Sequence, residues 1–570
     1  MVALSAHHNP LSARTRLPGG PMTANKTPPT QSSTTALSSS RRTARPVDPL
    51  GERATAQLIR RVLLPQQHSD QLTAAALQGQ LPPLTSSNEV DFEIYALIAI
   101  VLRDFVQTWY SKITPDDAFV AELVNIMAHI SRAMEQRVRK VDLESLFLDE
   151  IPYLLEQHII AYRASKRPAI RPPVEANSRQ IYHSLFPSPA MAPVPETDNP
   201  ESISTQVKNE VIYRKLLVQG MLAVLLPTED FQSSCLTSLV GEIISESIIG
   251  NIVSNKISQP WMLWEIMGIL CSNITRKEIP SKDKKKRRKE TPDVSPQLDP
   301  IPMPAAPSEP KRWSFPWMMI TLVQWGVALY SIIRGVIHGF MTARKLPSRA
   351  RHQAYVEPSK GSSGSMKVPI ITWKLFTCAG TWIEIDERMP WLSGNIALLQ
   401  WGLLKGPWNI GAFDGVLDRY VSSIVSDKML DGSKAPGIIK AIRGSLFPNN
   451  LPGKPSLFAP TNKDEEKELR LRTSAALVSL MPKWMLKSYF CGSTWEKSEG
   501  SDDSFAALLN DADSDQCLIQ EIDKTILDVF SDEYCNKHLI YAVLELVLVR
   551  LLPELAEKGV EDLLDDRLGI

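Results

Sequence analysis

Apolar residues recur at every third or fourth position along most of this 570-residue chain, and this spacing restricts its fold more than any other feature. The stretch 90–110 shows it at nearly every turn, through Phe92, Tyr95, Ile98, Leu102 and Phe105. The stretches 116–139 and 142–163 repeat the pattern, and Thr114 and Pro115 stand where an N-cap and a first helical residue belong. We find no two-residue alternation typical of strands. The chain is therefore predicted to be all-α.

Polar segments interrupt the helical pattern and divide the chain. The predicted organisation is a disordered tail at 1–47, a helical domain at 48–275, a linker at 276–312, an apolar amphipathic helix at 313–345, a second linker at 346–366 and a second helical domain at 367–570. Within the first domain, residues 164–206 are rich in proline, so we expect an inserted flexible loop there. The tail has no acidic residue in its first 46 positions, which leaves a mitochondrial transit peptide as an alternative.

Charge and cysteine content exclude some classes of partner. Lysine plus arginine and aspartate plus glutamate both total 63, so no net positive field draws the chain to nucleic acid. The six cysteines are scattered and form no Cys-x-x-Cys pair. We therefore expect buried, reduced thiols in a cytosolic protein, with neither a disulfide framework nor a metal site.

Motifs that carry catalysis are missing from the sequence. It contains no phosphate-binding or dinucleotide-binding glycine loop, no zinc-protease motif, no nucleophile elbow and no kinase signature. The histidines on predicted helices, His129, His158 and His538, are expected to lie on helix surfaces or at caps rather than to act as bases or ligands. We predict that the protein is not an enzyme and needs no cofactor.

One uncharged stretch, "FPWMMITLVQWGVALYSII" at 315–333, is long enough to cross a membrane. On a helix, however, it places bulky residues on one side and a stripe containing Thr321, Gln324 and Arg334 on the other. This pattern favours a buried or cavity-lining helix. An in-plane membrane helix and a single membrane span remain as alternatives.

The bulky side of this helix and the last long apolar stretch of the chain supply the predicted lipid-facing or inter-domain residues. They are Leu322, Trp325, Leu329, Ile333, Val336, Phe340, Leu539, Val543 and Leu546.

A basic run precedes the uncharged stretch. Its core is Lys284, Lys285, Lys286, Arg287, Arg288 and Lys289. We predict that this core is a patch for anionic lipid headgroups, because clustered basic residues are attracted to anionic membrane surfaces. A nuclear localisation signal and a solvated linker are the alternatives.

Three stretches of the first helical domain resemble the PXA domain of sorting nexins that also carry RGS and PX domains. They are "FVQTWYSKITPDDAFVAEL", "RVRKVDLESLFLDEIPYLLEQHIIAY" and "LLVQGMLAVLLPTEDFQSSCLTSLVGEIISESII", within about 90–270. The stretches "MPWLSGNIALLQWGLLKGPW", "FDGVLDRYVSSIV" and "NKHLIYAVLELVLVRLLPEL" resemble the nexin C-terminal domain. No PX or RGS domain stands between them. The inserted loop is similar to insertions in fungal sequences.

The resemblance implies a fold and a function. The two modules are expected to pair into one helical body around an apolar lipid cavity, with "NIALLQWGLL" and "LIYAVLELVLVRLL" meeting "LLVQGMLAVLL" and "WMLWEIMGIL". The implied function is non-catalytic lipid binding in vesicle trafficking or lipid transfer. It would take place on the cytoplasmic face of endomembranes (endosome or ER), with peripheral attachment and membrane lipid and trafficking proteins as partners. The alternative is a helical protein-interaction scaffold without a lipid cavity.

The basic run generates a first prediction. Replacing all six residues 284–289 with glutamine should weaken binding of the full chain to vesicles that contain phosphatidylserine, and raised salt should weaken the parent in the same way. Vesicle co-sedimentation at low and high salt measures both effects. Equal binding of variant and parent at low salt would leave the run as a solvated linker.

Overall fold

The computed structural model describes residues 50–64, 79–114, 118–167, 177–196, 199–278, 368–406, 409–428, 431–447, 459–460, 462–490 and 512–568, with Asn450 and single positions between 326 and 349. Within these ranges the regular secondary structure is helical and no strand occurs. The all-α prediction is confirmed for them. Residues 48–570 constitute one compact unit.

The N-terminal helices follow the predicted apolar spacing. They are α1 (Glu52–Leu63), α2 (Asn88–Val101), α3 (Thr108–Ile113), α4 (Ala118–Val138), α5 (Leu143–Ser145), α6 (Ile151–Lys166), α7 (Ser178–Leu185), α8 (Pro200–Leu225), α9 (Thr228–Phe231), α10 (Ser234–Glu242) and α11 (Pro260–Glu278). Wider π-helical turns at Leu102–Gln107, Leu146–Glu150 and Ile243–Ile257 continue α2, α5 and α10, and a 3-10 turn spans Pro189–Met191. Asp142 caps α5 by accepting a hydrogen bond from the Ser145 amide.

The C-terminal helices form a second series. They are α12 (Lys374–Trp382), α13 (Ile385–Arg388), α14 (Pro390–Lys405), α15 (Val416–Lys428), α16 (Ala435–Leu446), α17 (Lys463–Val478), α18 (Lys483–Phe490), α19 (Ala512–Ile522), α20 (Glu533–Leu551), α21 (Glu554–Glu557) and α22 (Val560–Leu568). A 3-10 turn at Ile370–Thr372 precedes α12, and another at Gly432–Lys434 precedes α16. A π-helical turn at Asp523–Leu527 and a 3-10 turn at Asp528–Phe530 join α19 to α20.

The proline-rich segment 164–206 differs from the expected flexible loop. Its described part contains α7, a 3-10 turn and the start of α8, and Tyr182 and Met191 are buried in the core. The prolines do not disrupt these elements, because Pro189 and Pro200 occupy first-turn positions that need no amide donor. Asn199 caps α8 by accepting from the amide of Glu201.

The main hydrophobic core is built from both ends of the chain. Ile59, Ile126 and Leu222 come from the N-terminal helices, whereas Phe530 and Tyr541 come from the C-terminal series, and all five belong to one cluster. Each fully buried side chain of this size contributes roughly 1.5–3 kcal/mol. The predicted packing of the two helical regions against each other is therefore confirmed.

A buried ion pair also joins the two regions. The Arg443 guanidinium on α16, which is wholly buried, lies 3.0 Å from a carboxylate oxygen of Glu93 on α2. Its Nη2 also donates to the Thr55 hydroxyl on α1, over 3.1 Å. Removing one partner of such a pair leaves an uncompensated buried charge. This contact therefore holds α16 against α1 and α2.

Arg163 generates a second prediction. This α6 residue donates to the carbonyl oxygens of Thr381 (2.5 Å), Trp382 (2.7 Å) and Thr525 (3.1 Å), which all belong to the C-terminal region. Arg163→Ala would leave these acceptors without their donor. It should lower the free energy of unfolding by about 1.5–3 kcal/mol, the usual range for hydrogen bonds to a charged group. Urea denaturation measures the change.

The chain offers a matched control at the end of the same helix. Arg167 also reaches the C-terminal region, but its pair with Glu387 is exposed on both sides. Arg167→Ala should change stability little, because exposed ion pairs are screened by water. Equal losses for the two variants would contradict the bridging role of Arg163.

Candidate functional site

A cluster of histidine and tyrosine side chains lies where α6 and α7 meet α20. We call it the histidine seam, and it consists of His158, Tyr182, His183, Tyr534 and His538. The first three residues belong to the N-terminal helices and the last two to α20. The seam is therefore a polar contact across the boundary between the two regions.

His158 is wholly buried and uses both ring nitrogens. Nε2 lies 3.3 Å from the carbonyl oxygen of Val529, and Nδ1 lies 2.8 Å from the Tyr182 hydroxyl. A carbonyl can only accept, so Nε2 carries the proton and Nδ1 accepts from the Tyr182 hydroxyl, whose proton is shared with the carbonyl oxygen of Cys535 at 3.2 Å. The Phe530 ring stacks on the imidazole at 5.6 Å between centroids.

His538 is arranged in a similar way on α20. Its Nδ1 lies 3.0 Å from the carbonyl oxygen of Tyr534, and its Nε2 lies 2.9 Å from Nδ1 of His183. Nδ1 of His538 therefore donates to the carbonyl, and Nε2 accepts from His183. The Tyr534 hydroxyl donates to the carbonyl oxygen of Met191 over 3.0 Å.

Burial sets the protonation state of the seam. Desolvation lowers the pKa of His158 and of His538 to about 4, although the carbonyls of Val529 and Tyr534 oppose this change. Both rings are therefore neutral at pH 7. With every ring nitrogen of these two histidines already hydrogen-bonded, the arrangement is suited to joining helices rather than to moving protons.

The seam corrects an expectation from the sequence. His158 and His538 are fully buried, so their predicted placement on helix surfaces or at caps is wrong. His129 is exposed, in agreement with the prediction. The sequence does contain a weak signal, because "HIIAY" and "HLIYAV" surround both buried histidines with apolar residues.

A second polar network lies further along α20. Glu210 on α8 accepts from the hydroxyls of Ser254 (2.5 Å) and Tyr541 (2.8 Å) and pairs with Arg214 at 3.0 Å. Burial raises the pKa of Glu210, but the hydroxyl donors and the charges of Lys537 and Arg214 outweigh burial and hold the pKa below its usual value. The carboxylate is therefore charged and fixes α20 against α8.

The predicted apolar residues of α20 occupy one face of that helix. Leu539, Val543 and Leu546 follow each other at four- and three-residue spacing, and Arg550 continues the row. Arg550 pairs with Glu150 of the N-terminal helices at 2.7 Å. The face of α20 that carries this row is therefore directed toward those helices. Leu539 packs against the main core, whereas Val543 and Leu546 are half-buried.

The other predicted site residues cannot be placed in the same way. Leu322, Trp325, Leu329, Ile333, Val336 and Phe340 lie outside the described residues, and so does the basic run 284–289. Their roles stay predictions.

Of the apolar stretches expected to meet, the structure joins three, because Leu263 and Met267 of "WMLWEIMGIL" pack against the main core that also contains Leu222 and Tyr541. Leu548 and Leu552 at the end of "LIYAVLELVLVRLL" cluster with Leu225 of "LLVQGMLAVLL". The stretch "NIALLQWGLL" behaves differently: it lies within α14, which buries no side chain. Its expected burial is wrong, because α14 contacts the body along one side, through Gln400 and the half-buried Leu403, and leaves its other side in solvent.

The next two features are groups that could bind a metal and helices that could span a membrane. Among the residues that the structure describes, no group of three or more His, Cys, Asp or Glu side chains could hold a metal ion. In the same part of the chain, one helical stretch, Ser234–Ile257, is long and apolar enough to cross a membrane, with a mean hydropathy of 1.3. Within it, Ser254 is buried and donates to Glu210.

Comparison with known proteins identifies the N-terminal region. Residues 87–270 match the PXA domain. The chain is 23% identical to sorting nexin-13 of Mus musculus over 196 residues, which cover 33% of the chain and 20% of that protein. It is 29% identical to PXA domain protein 1 of Schizosaccharomyces pombe over 153 residues, or 27% of the chain and 28% of that protein.

A longer match is to the uncharacterized protein YDR179W-A of Saccharomyces cerevisiae, at 21% identity over 376 residues and 65% of each chain. The matches thus span less than two thirds of each of these relatives. No solved structure matches. The resemblance to the PXA domain drawn from the sequence is confirmed.

The histidine seam generates a third prediction. The free energy of unfolding should fall as the pH drops from 6.5 toward 4, because the unfolded chain binds protons at His158 and His538 that the folded chain does not. Above pH 6.5 both states are neutral at these positions and the effect vanishes. Urea denaturation between pH 7.5 and 4.5 measures the slope.

Protonation of buried carboxylates such as Glu210 also lowers the free energy of unfolding in acid. Variants are therefore needed to separate the contribution of the histidines from that of the carboxylates. The double variant His158→Gln/His538→Gln should show a shallower slope than the parent between pH 6.5 and 4.5, whatever its absolute stability. His129→Gln, on an exposed position, should keep the parent slope. Identical slopes for all three proteins would contradict the assignment.

Proposed function

We propose that this PXA-domain protein is a non-catalytic lipid-binding protein of endomembranes, acting in vesicle trafficking or in lipid transfer at organelle contacts. The observation that carries the proposal is the half-buried row on α20, where Val543 and Leu546 are only partly covered in the helix that joins both regions. These side chains therefore present apolar area that the rest of the protein does not cover.

The position of the row supports an acyl chain as its partner. From Leu539 to Leu546 the row extends about 10 Å along the helix, at 1.5 Å per residue. The opposite side of α20 carries Tyr541 and Leu548, which are buried. Between Leu539 and Leu546 the row offers dispersion contacts and no hydrogen bonds, as a hydrocarbon chain requires, and Arg550 closes the row at one end by pairing with Glu150.

The relatives support the cellular setting. The match to sorting nexin-13 covers 196 residues of the chain, and residues 87–270 match the PXA domain, which is the basis for proposing a role in trafficking. We propose peripheral attachment to the cytoplasmic face of the endosome or the ER, with membrane lipid and trafficking proteins as partners. Residues 367–570 would act as the nexin-C-like half, and the bulky side of 313–345 would complete the lipid-facing surface.

A second candidate, a protein-interaction scaffold, is favoured by one surface of α11. Ile266, Ile269, Leu270 and Ile274 recur at helical spacing and are all exposed. A one-sided apolar row of this kind is typical of helices that dock into a groove of a partner protein. The two candidates differ in whether the α20 row holds lipid or is ordinary core.

Val543→Trp on α20 generates a fourth prediction. If an acyl chain lies along the row, the indole should take its place, so less phospholipid should co-purify while the melting temperature stays near that of the parent. Mass spectrometry of extracted lipids and thermal melting of the same sample measure the two quantities. Val549→Trp is the matched control, because Val549 lies on the same helix with its side chain exposed.

The opposite result has a clear meaning. If the row is close-packed core, the added volume should lower stability by about 1–3 kcal/mol and leave the lipid content unchanged. That outcome, or a parent protein free of lipid, would overturn the lipid-binding proposal and favour the scaffold.

A further inference from the structure

Helix α14 exposes more large apolar side chains than a normal surface helix. Its solvent side carries Trp391, Leu398, Leu399 and Trp401, each 64–67% exposed, and Ile396 at 48%. Its protein side is mixed: Ser393 and Gln400 bond Asp386 and the carbonyl oxygen of Ile371, and leucines beside them are half-buried. A surface helix in water normally places its charged and polar residues, not its large apolar ones, on the solvent side.

The exposed face is open along the whole helix. A Cβ atom built on Gly394 or Gly402 would meet no other atom within 4 Å. At 100° per residue, the exposed apolar residues of α14 cover about 220° of its circumference. Phe376 on α12, five residues after Ile371, adds a further apolar side chain that is 51% exposed. An apolar surface of this extent marks an interaction site on a soluble protein.

The charges around α14 select the kind of partner. Positions 390–404 contain no charged residue, and Lys405 is the first to follow. A groove on a partner protein covers one side of a helix, whereas a lipid layer can cover more than half of its circumference. Trp391 and Trp401 stand near the two ends of the helix, and tryptophan is enriched at membrane interfaces.

The dimensions separate the remaining possibilities. The 16 residues of α14 measure about 24 Å, less than the roughly 30 Å of a bilayer core, so the helix does not span one.

We infer that α14 is a membrane-docking helix, which lies in the plane of a bilayer with Trp391, Leu398, Leu399 and Trp401 among the lipids. The inference rests on the proposed function in taking a membrane as the partner, and it adds the residues that make the contact. Because Lys405, in the last turn, is the one charged residue of α14, this contact is driven mainly by burial of apolar area and requires no anionic lipid.

The test uses the full chain and small vesicles of pure phosphatidylcholine. Leu398→Gln/Leu399→Gln should weaken co-sedimentation with these vesicles at least ten-fold, at low and at high salt alike. The matched control is Ile269→Gln/Leu270→Gln on α11, which removes two exposed apolar side chains from another surface. The control should bind as the parent does. All four residues are exposed, so unchanged melting temperatures should confirm that both variants fold.

A second measurement reports insertion directly. Phosphatidylcholine with brominated acyl chains should quench part of the tryptophan fluorescence of the parent, and Trp391→Phe/Trp401→Phe should remove most of that quenching. Equal vesicle binding by the parent and the Leu398/Leu399 variant would overturn the inference, as would an equal loss in the α11 control. A parent that is dimeric by light scattering and becomes monomeric in the Leu398/Leu399 variant would overturn it in favour of a second copy.

Failure of this inference can be told apart from failure of the proposed function. The vesicle assays report docking through α14, whereas the lipid content of the Val543→Trp variant reports binding along α20. A parent that docks on vesicles but purifies without lipid would support the inference and overturn the lipid-binding row.

Discussion

The structure depends on one constraint: the buried polar groups of α20 find their hydrogen-bond partners on helices that lie far away in the sequence. Asn536 donates to the carbonyl oxygen of Ser258, His538 accepts from His183, and Tyr541 donates to Glu210. A buried polar group without a partner is strongly destabilising. Helix α20 can therefore be buried only when the N-terminal helices surround it.

This dependence explains why the helices before residue 279 and those after residue 367 make one body. The apolar core alone could be formed by many arrangements of amphipathic helices, because hydrophobic contacts are not directional. The hydrogen bonds of the histidine seam and of Glu210 have fixed donors and acceptors. They can therefore form in only one register of α20 against α6, α7 and α8. The region that matches the PXA domain and the C-terminal helices thus fit each other through specific hydrogen bonds.

Two apolar helices of the C-terminal region show how differently such surfaces can be used. In α20, Tyr541 and Leu548 are buried by both regions, and the Leu539 row is left partly covered. In α14, the body contacts the polar residues Ser393 and Gln400, and the tryptophans remain in solvent. The proposed row on α20 would therefore hold an acyl chain, whereas the proposed docking helix α14 would contact the membrane at another place on the same body.

The sequence by itself determined most of the helical segments, although α7 lies where a flexible loop was expected. Helix formation follows from apolar spacing and caps within one segment, so α4 and α6 fall where the pattern placed them, and Asp142 caps α5 through its own neighbour. The resemblance to the PXA domain could be detected from the sequence for the same reason, since it rests on residues inside continuous stretches. Only the tertiary structure decided which apolar faces are covered. "NIALLQWGLL" and "LIYAVLELVLVRLL" have similar composition, yet one is exposed and the other largely enclosed. Burial of His158 and the bridging role of Arg163 were also out of reach, because each depends on a carbonyl more than 200 residues away. Local spacing carries no information about such partners, since they are brought together only when the helices pack.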